Sequence, residues 1–547
     1  MSFIKKYKDY IILFFIGALL FIPFLGRVHL FDWDEINFAE SAREMLITKE
    51  FFRVQINFKP FWEKPPLFIW LQALSMSIFG INEFAARLPN AIVGMGTLLI
   101  LFSIGKKYFS SSFGWWWVLA YIGSFLPHLY FKSGIIDPLF NLFIFLGIFY
   151  LAKTSILIAG DRNRITNIAF AGLFIGLGVL TKGPVALLVA ILCSLVYCIL
   201  QKTIKIFSLK ELAIFCIPLF LVAFTWFGVE TILHGPWFLQ EFIVYQIRLF
   251  KTQDAGHGGP FIYHFIVLYI GCFPASIFIF NSFRKNNLEN PIQKAIKLWL
   301  IISFFVVLIL FSIVKTKIVH YSSFCYFPLT FLSAYGISKI QTSAISFPKF
   351  IKVQLAILGL LIGLVLFIFP LILKNISQLL LKYGYLIKDK FALANLQAQV
   401  YWSGMESLIG LFYVIIILAI LFTKSTFGKK IKVLFISTAL VIGSTLVVIV
   451  PNIERYSQGA AIEFFQSLKD KDVYVDVFGF KSYGHLFYTQ KKPINDTLSI
   501  NEEYYLNGKI DKDVYLVSKI TNTRLDELSK FKKINEKNGF VFYRREK

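Results

Sequence analysis

Residues 10–46 read YIILFFIGALLFIPFLGRVHLFDWDEINFAESAREML. The stretch Tyr10–Leu25 carries no charge and reads as a membrane span. No small-residue cleavage site follows it, only Gly26 and Arg27, so it reads as a retained span rather than a removed leader. The chain then displays Asp32, Asp34, Glu35, Glu40 and Glu44 at once. Carboxylates beside a span work against anionic headgroups, so their presence needs a reason. One is local: Asp34 suits the N-cap of a helix starting at Glu35, where acids favour the first turn. Capping and catalysis are compatible at one residue, and both stay open at this point.

The composition places that span in a membrane protein. The 547 residues are 57% hydrophobic and 16% charged, with a mean hydropathy of +0.66. The apolar residues come in blocks of about twenty, the length a helix needs to cross about 30 Å of hydrocarbon. Blocks near 10–25, 85–104, 113–131, 137–152, 167–181, 183–200, 212–229, 261–281, 298–314, 319–337, 352–373, 405–423 and 431–450 predict about thirteen spans. The formal net charge of +24 excludes little by itself. Much of it lies in short links: Lys5, Lys6 and Lys8; Lys106 and Lys107; Arg162 and Arg164; Lys202, Lys205 and Lys210; Arg284 and Lys285; Lys424, Lys429 and Lys430. Every second link is basic, which puts those links and the N terminus in the cytoplasm. Membrane orientation therefore explains the charge better than nucleic acid does. The first loop, 26–84, and the tail after Val450 are then extracytoplasmic. Cys193, Cys198, Cys216, Cys272 and Cys325 have no metal-ligand spacing and read as small buried hydrophobes.

The external segments carry their own patterns. Residues 35–47 place Phe38, Ala42 and Met45 at helical spacing, with Glu40 and Glu44 as a solvated face. PPLFIWLQALSMSIF, residues 65–79, opens with prolines as a helix start does. Both predict amphipathic helices at the outer membrane surface. From 451 the chain turns charged, and DVYVDVFGF, DVYLVSK and GFVFYRR read as strands, with helices near 458–468 and 523–530. The expected domains are a transmembrane unit, 1–450, and a small extracytoplasmic α/β unit, 451–547.

Candidate chemistry collects on the outer side. In FWEKPPLFIW, residues 61–70, Lys64 sits before a stiff Pro-Pro turn among aromatics, placed to meet a lipid phosphate. In QDAGHGGPFIYH, residues 253–264, His257 together with Glu63 could bind a divalent ion, the one cofactor the residues leave open. Lys132, Lys182 in LTKGP, Arg248 in YQIRLF, and Lys315 and Lys317 in VKTKIVHYS lie at outer span ends, where the charge rule disfavours them. With Lys64 they could line a positive cavity, and Asp137 in SGIIDPLF adds an acid there. No P-loop, GxGxxG unit, GxSxG elbow or CxxC pair occurs. A soluble nucleotide donor is therefore not expected.

DWDEINFAESAREML, FWEKPPLFIWLQALSMSIFGINEFAARLPN, LTKGPVALL and GHGGPFIY, in that order, resemble the bacterial lipid A aminoarabinose transferases and the protein O-mannosyltransferases related to them. The resemblance covers roughly the first 330 residues; beyond that only the layout matches. It implies a GT-C-type glycosyltransferase of the bacterial inner membrane, with a polyprenyl-phosphate sugar as donor and an envelope lipid, protein or glycan as acceptor. In that resemblance Asp34 falls on the catalytic carboxylate and Lys64 on the donor-phosphate lysine. Asp137 and Lys182 match motif positions there; the residue reading itself adds Glu35, beside Asp34, to the catalytic set with Asp137, and the outer cations Arg248, Lys315 and Lys317 to the phosphate set with Lys182. Glu63 and His257 fall on positions proposed for a metal. A transporter or non-catalytic binder of lipid-linked sugars is the rival reading. It predicts internal repeats, and none is visible.

Overall fold

Each apolar block becomes a helix or a pair of helices, but not every one becomes a full span. The structure is a computed structural model. It describes residues 2–158, 160–203, 206–252, 258–283, 290–342, 347–493 and 502–547. His257, Lys205, Arg284 and Lys285 lie outside the described residues.

The first helix, α1 (Ser2–Phe21), ends in the loop that carries the acids. Helix α2 (Asp34–Thr48) follows, then a hairpin of β1 (Gln55–Ile56) and β2 (Lys59–Pro60), then α3 (Leu67–Phe79). The bundle continues with α4 (Glu83–Tyr108), α5 (Ser111–Ile122), α6 (Phe125–Tyr130), α7 (Asp137–Thr154), α8 (Arg162–Lys182), α9 (Val185–Gln201) and α10 (Leu209–His234). Next come α11 (Trp237–Lys251), α12 (Tyr263–Gly271), α13 (Pro291–Ile313), α14 (Tyr326–Thr342) and α15 (Lys349–Lys374). Two short helices, α16 (Ile376–Tyr383) and α17 (Lys390–Leu396), lead to α18 (Leu408–Phe422) and α19 (Phe427–Val448).

Among the described residues, eight helices are long and apolar enough to cross a membrane. A ninth span arises if α12 and the turn Ala275–Phe283, bent by 107°, count as one. The four remaining blocks of the expected thirteen fall short for visible reasons. Helix α1 opens on Lys5, Lys6, Lys8 and Asp9. The block at 113–131 breaks at Gly123 into α5 and α6, of 12 and 6 residues. Helices α9 and α14 have 17 residues each and reach only about 26 Å at 1.5 Å per residue.

The tail folds as a four-stranded sheet of β3 (Tyr474–Phe478), β4 (Val514–Lys519), β5 (Lys532–Lys537) and β6 (Phe540–Arg545), in the order β3-β4-β6-β5. Strand β3 runs parallel to β4, and β6 is antiparallel to both β4 and β5. Residues 459–467 are helical as expected, but 523–530 form turns rather than a helix. One hydrophobic cluster joins Ile36, Phe38 and Ala42 of α2 and Phe68 of α3 to Tyr488, Val517, Phe540 and Phe542 of the tail.

That packing corrects the reading of α2 as an open surface helix. Every residue from Glu35 to Met45 is buried, and Glu40 and Glu44 are fully covered rather than solvated. Arg43 answers Glu40 with two hydrogen bonds of 2.6 and 2.7 Å. Glu44 accepts the Phe58 amide at 2.8 Å but has no guanidinium bonded to it among the described residues. Burial and the neighbouring Glu40 carboxylate push it up to about 9, so it holds a proton at neutral pH. A carboxyl raised on folding binds its proton more tightly in the native state, so its effect on stability is most favourable at low pH. The contribution is lost as pH rises from about 4.5 towards about 9. Melting temperature should fall across that window, and Glu44→Gln, which stays neutral, should flatten the fall.

Candidate active site

The start of α4 organises the site. Arg87 donates to Glu35 from Nε and Nη2, at 2.9 and 2.7 Å. Its remaining protons go to the carbonyls of Leu25, Val28 and His29, at 2.7, 2.7 and 2.9 Å. One guanidinium thus ties the loop after α1 to the first turn of α2. Glu35 also accepts the Phe31 and Gly134 amides, at 2.9 and 2.5 Å. Burial works to raise this carboxyl, but Arg87 and the two amides outweigh it and hold it below the usual range. One turn on, Asn90 donates to the carbonyls of Ser133 and Ile135, at 2.7 and 2.6 Å. The Arg-Leu-Pro-Asn element therefore holds two loops, one ending at Asp34 and the other at Asp137.

Between those loops lies a cavity of about 470 Å³. Asp34, Lys64, Asp137, Lys182 and His320 all line it. Asp34 opens α2; the cap residue is Trp33, so the expected capping role is not taken up. Asp34 instead faces His320, with Oδ2 3.5 Å from Nε2. The other ring nitrogen, Nδ1, lies 2.6 Å from the Tyr130 hydroxyl. Lys182 donates to Asp137 at 2.5 Å. It reaches this place because α8 stops at Gly183, whose φ of +99° ends the helix. A Cβ at Gly183 would also meet the Phe242 ring at 2.7 Å. Lys64 lies 5.2 Å from the Tyr245 ring centroid. Burial, with Lys182 adding to it, lowers the Lys64 ammonium from its usual value. A narrower arm of about 70 Å³ continues past Lys64 and Lys182 between Ile144, Val189, Val307 and Phe311. The hollow is therefore charged at its mouth and apolar within.

The other expected residues are distributed around this hollow. Glu63 lines it. Arg248 shares the Tyr245 ring with Lys64, at 5.1 Å. Lys315 is exposed and Lys317 buried, and neither borders the cavity. The Lys317 ammonium donates to the carbonyls of Phe311, Ser312 and Val314, at 3.0, 2.7 and 2.6 Å, which closes the end of α13. Lys132 does the same for α1, donating to Leu20, Phe21 and Pro23 at 3.2, 3.3 and 2.7 Å. Among the described residues no group of three or more His, Cys, Asp or Glu could hold a metal ion. Of the expected pair Glu63 and His257, only Glu63 lies among the described residues. Sequence reasoning did not single out Arg87, Asn90, Tyr130 or His320.

The tail reaches the rim. Trp33 stacks on Tyr483 at 5.2 Å, and Asp32 accepts the Tyr483 amide at 3.3 Å. The Leu30 amide donates to the Tyr488 hydroxyl at 2.7 Å.

This geometry has solved counterparts. ArnT from Cupriavidus metallidurans, in a crystal structure bound to undecaprenyl phosphate, superposes with a TM-score of 0.74 over 98% of both chains, at 16% identity. The chain has the fold of ArnT. The apo structure of that protein agrees, with a TM-score of 0.76 and 15% identity over 98% of each chain. The sequence relatives point the same way. Residues 63–227 match the family described as dolichyl-phosphate-mannose-protein mannosyltransferase. An undecaprenyl phosphate-alpha-4-amino-4-deoxy-L-arabinose arabinosyl transferase from Wigglesworthia glossinidia brevipalpis is 27% identical over 373 residues, 65% of this chain and 63% of that one. Its counterpart in Photorhabdus laumondii subsp. laumondii is 28% identical over 372 residues, 66% and 65% of the two chains. The match thus spans just under two thirds of the length of these curated relatives. The chain is a multi-pass membrane protein that resembles the ArnT-type and mannosyltransferase-type proteins.

Proposed function

We propose that the chain is a glycosyltransferase that moves a sugar from a polyprenyl phosphate to an envelope acceptor. The observation that carries this reading is that Asp34, Lys64 and Lys182 line one cavity, with an apolar arm continuing past the two lysines. A phosphate suits the two ammonium groups, and an isoprenoid chain suits the arm. Departure of the phosphate makes the anomeric carbon oxocarbenium-like, and fixed cations stabilise the charge that develops on the leaving oxygens. Asp34 aligns the acceptor on the opposite face and takes its proton where there is one to lose. A single displacement of this kind inverts the anomeric centre. No acid is needed, because the phosphate leaves as an anion.

The same reading places the cavity on the extracytoplasmic face of a bacterial inner membrane, with the N terminus in the cytoplasm. Lys106 and Lys107 close α4 at the end opposite Arg87, and Lys429 opens α19 at the end opposite Leu446, which lines the cavity. Residues 451–547 then form the extracytoplasmic α/β unit at the cavity rim.

The test is reconstitution with undecaprenyl phosphate carrying a labelled sugar, following release of the lipid phosphate and transfer of label. Lys64→Met should raise donor KM about 10–100-fold, the weight of one charge-assisted contact. Lipid movement across the vesicle without release of phosphate would support a flippase instead.

A further inference from the structure

We infer that the groove between α1, α5 and α19 holds one anionic phospholipid of the bilayer, its phosphate at Lys429 and Lys432 and an acyl chain along the groove. This site lies outside the central cavity, and the inference needs no part of the transferase reading.

The first observation is the shape. Helix α1 packs on α4, and α19 packs on α5, which leaves a trough between α1 and α19. Its volume is about 740 Å³, larger than that of the central cavity. Leu19 of α1 and Ile436 and Leu440 of α19 line it and are 74%, 51% and 54% exposed. Leu119 and the buried Trp116 of α5 line it too. From Lys429 to Leu440, α19 rises about 16 Å at about 1.5 Å per residue. Half of a hydrocarbon core is about 15 Å. The groove therefore has the reach of an acyl chain of one leaflet. Leu446, near the other end of α19, lines the central cavity, so the groove opens to the leaflet opposite that cavity.

The second observation is the charge at its mouth. Lys429 and Lys432 are exposed and line the groove. Both lie near the start of α19, where a cation works against the helix dipole. The sequence has no Asp or Glu between Glu406 and Glu454 to answer them. The Thr426 side chain caps no amide of α19, so the first amides of the helix favour an anion as the two ammonium groups do. Orientation in the membrane accounts for the face on which these lysines lie, but not for their place on the groove. The Lys432 ammonium lies 5.9 Å from the Trp116 ring centroid, and the Trp116 indole donates to Gln341 at 2.9 Å. A tryptophan fixed beside two lysines suits the headgroup level, with the apolar trough running inward from it. A phosphate with a chain attached satisfies both ends at once, which neither a free anion nor a neutral lipid does.

The experiment uses the full-length protein in detergent, titrated with phosphatidylglycerol or with phosphatidylcholine of the same chains, and retained lipid is counted by native mass spectrometry. One phosphatidylglycerol should be held more tightly than any phosphatidylcholine. Lys429→Gln with Lys432→Gln should weaken it about 30-fold, from about fivefold for each lysine that meets an anionic headgroup. Lys202→Gln with Lys210→Gln removes the same charge from exposed lysines outside the groove and should change it less than twofold. In vesicles, phosphatidylglycerol with a photoactivated diazirine in its chain should label α1 near Leu19 and α19 near Ile436 and Leu440. Equal retention of phosphatidylcholine, equal losses in the two double variants, or label spread evenly over the lipid-facing helices would overturn the inference. Displacement of phosphatidylglycerol by equimolar undecaprenyl phosphate would overturn it as well, by giving the groove to a different lipid.

Discussion

Asp34→Asn is expected to lower kcat by about 10²–10⁴-fold, the range for loss of a general base, while donor KM stays within about twofold. The substitution keeps the size and planarity of the side chain, so the cavity keeps its shape. It removes the charge that draws off the acceptor proton. The cost to folding should be small. Asp34 sits in the first turn of α2, where loss of a negative charge costs about 0.3–1 kcal/mol. Glu35, next along the chain and held by Arg87, keeps the helix start anchored. Melting temperature measured beside turnover separates the two effects. Equal loss of donor binding and turnover would move Asp34 from the acceptor side to the donor side.

Arg87→Met should show the opposite pattern, with a large loss of stability from which the loss of activity follows. The Arg87–Glu35 pair is almost wholly buried, with side chains 6% exposed on each side. Removing one partner of such a pair costs about 3–5 kcal/mol, because the other charge is stranded. Here the loss extends to three carbonyls that Arg87 satisfies at Leu25, Val28 and His29. The loop that carries Asp34 would lose its tie to the bundle. The double change Arg87→Met with Glu35→Gln should recover part of the stability, since no lone charge remains. The pair also carries a pH signature. A carboxyl held low in the folded state stabilises above its unfolded value and loses that contribution as pH falls below about 4.5. Acid melting curves of the wild type and the double variant should therefore converge. Thermal unfolding in detergent at neutral and acid pH checks each point.

The sequence displays some of these features openly and conceals others, for physical reasons. Spans were legible because hydrocarbon demands long apolar runs, and all thirteen blocks hold helices. Whether a block crosses alone depends on breaks such as Gly123 and on the start of α9 at Val185, and hydropathy smooths over both. Strands β3, β4 and β6 were legible from their alternation and β-branched residues. Strand β5 reads KKINEK and is exposed along its whole length, so no burial pattern could mark it. Glu40 and Glu44 misled because periodicity records one helix face, whereas the tail covers the other. At the site, Asp34, Asp137 and Lys182 stood out as charges at span ends, and Lys64 as a cation before a Pro-Pro turn among aromatics. Lys317 stood out for the same reason, yet its charge serves the carbonyls of α13. A cation near a membrane surface looks alike in sequence whether it faces a ligand or a helix end. Arg87 was visible within AARLPN, and His320 within VKTKIVHYS, but their partners lie 52 and 286 positions away, at Glu35 and Asp34. Only the fold brings them together.

On the proposed function, Lys64 and Lys182 hold a lipid phosphate beside Asp34, with its chain in the apolar arm. The most direct measurement is an experimental structure of the full-length protein with undecaprenyl phosphate. A phosphate oxygen is expected within about 3 Å of the Lys64 ammonium, as charge-assisted contacts require, and isoprene units against Val189, Val307 and Phe311. Phosphate density outside this cavity, with Lys64 and Asp34 facing empty solvent, would contradict it.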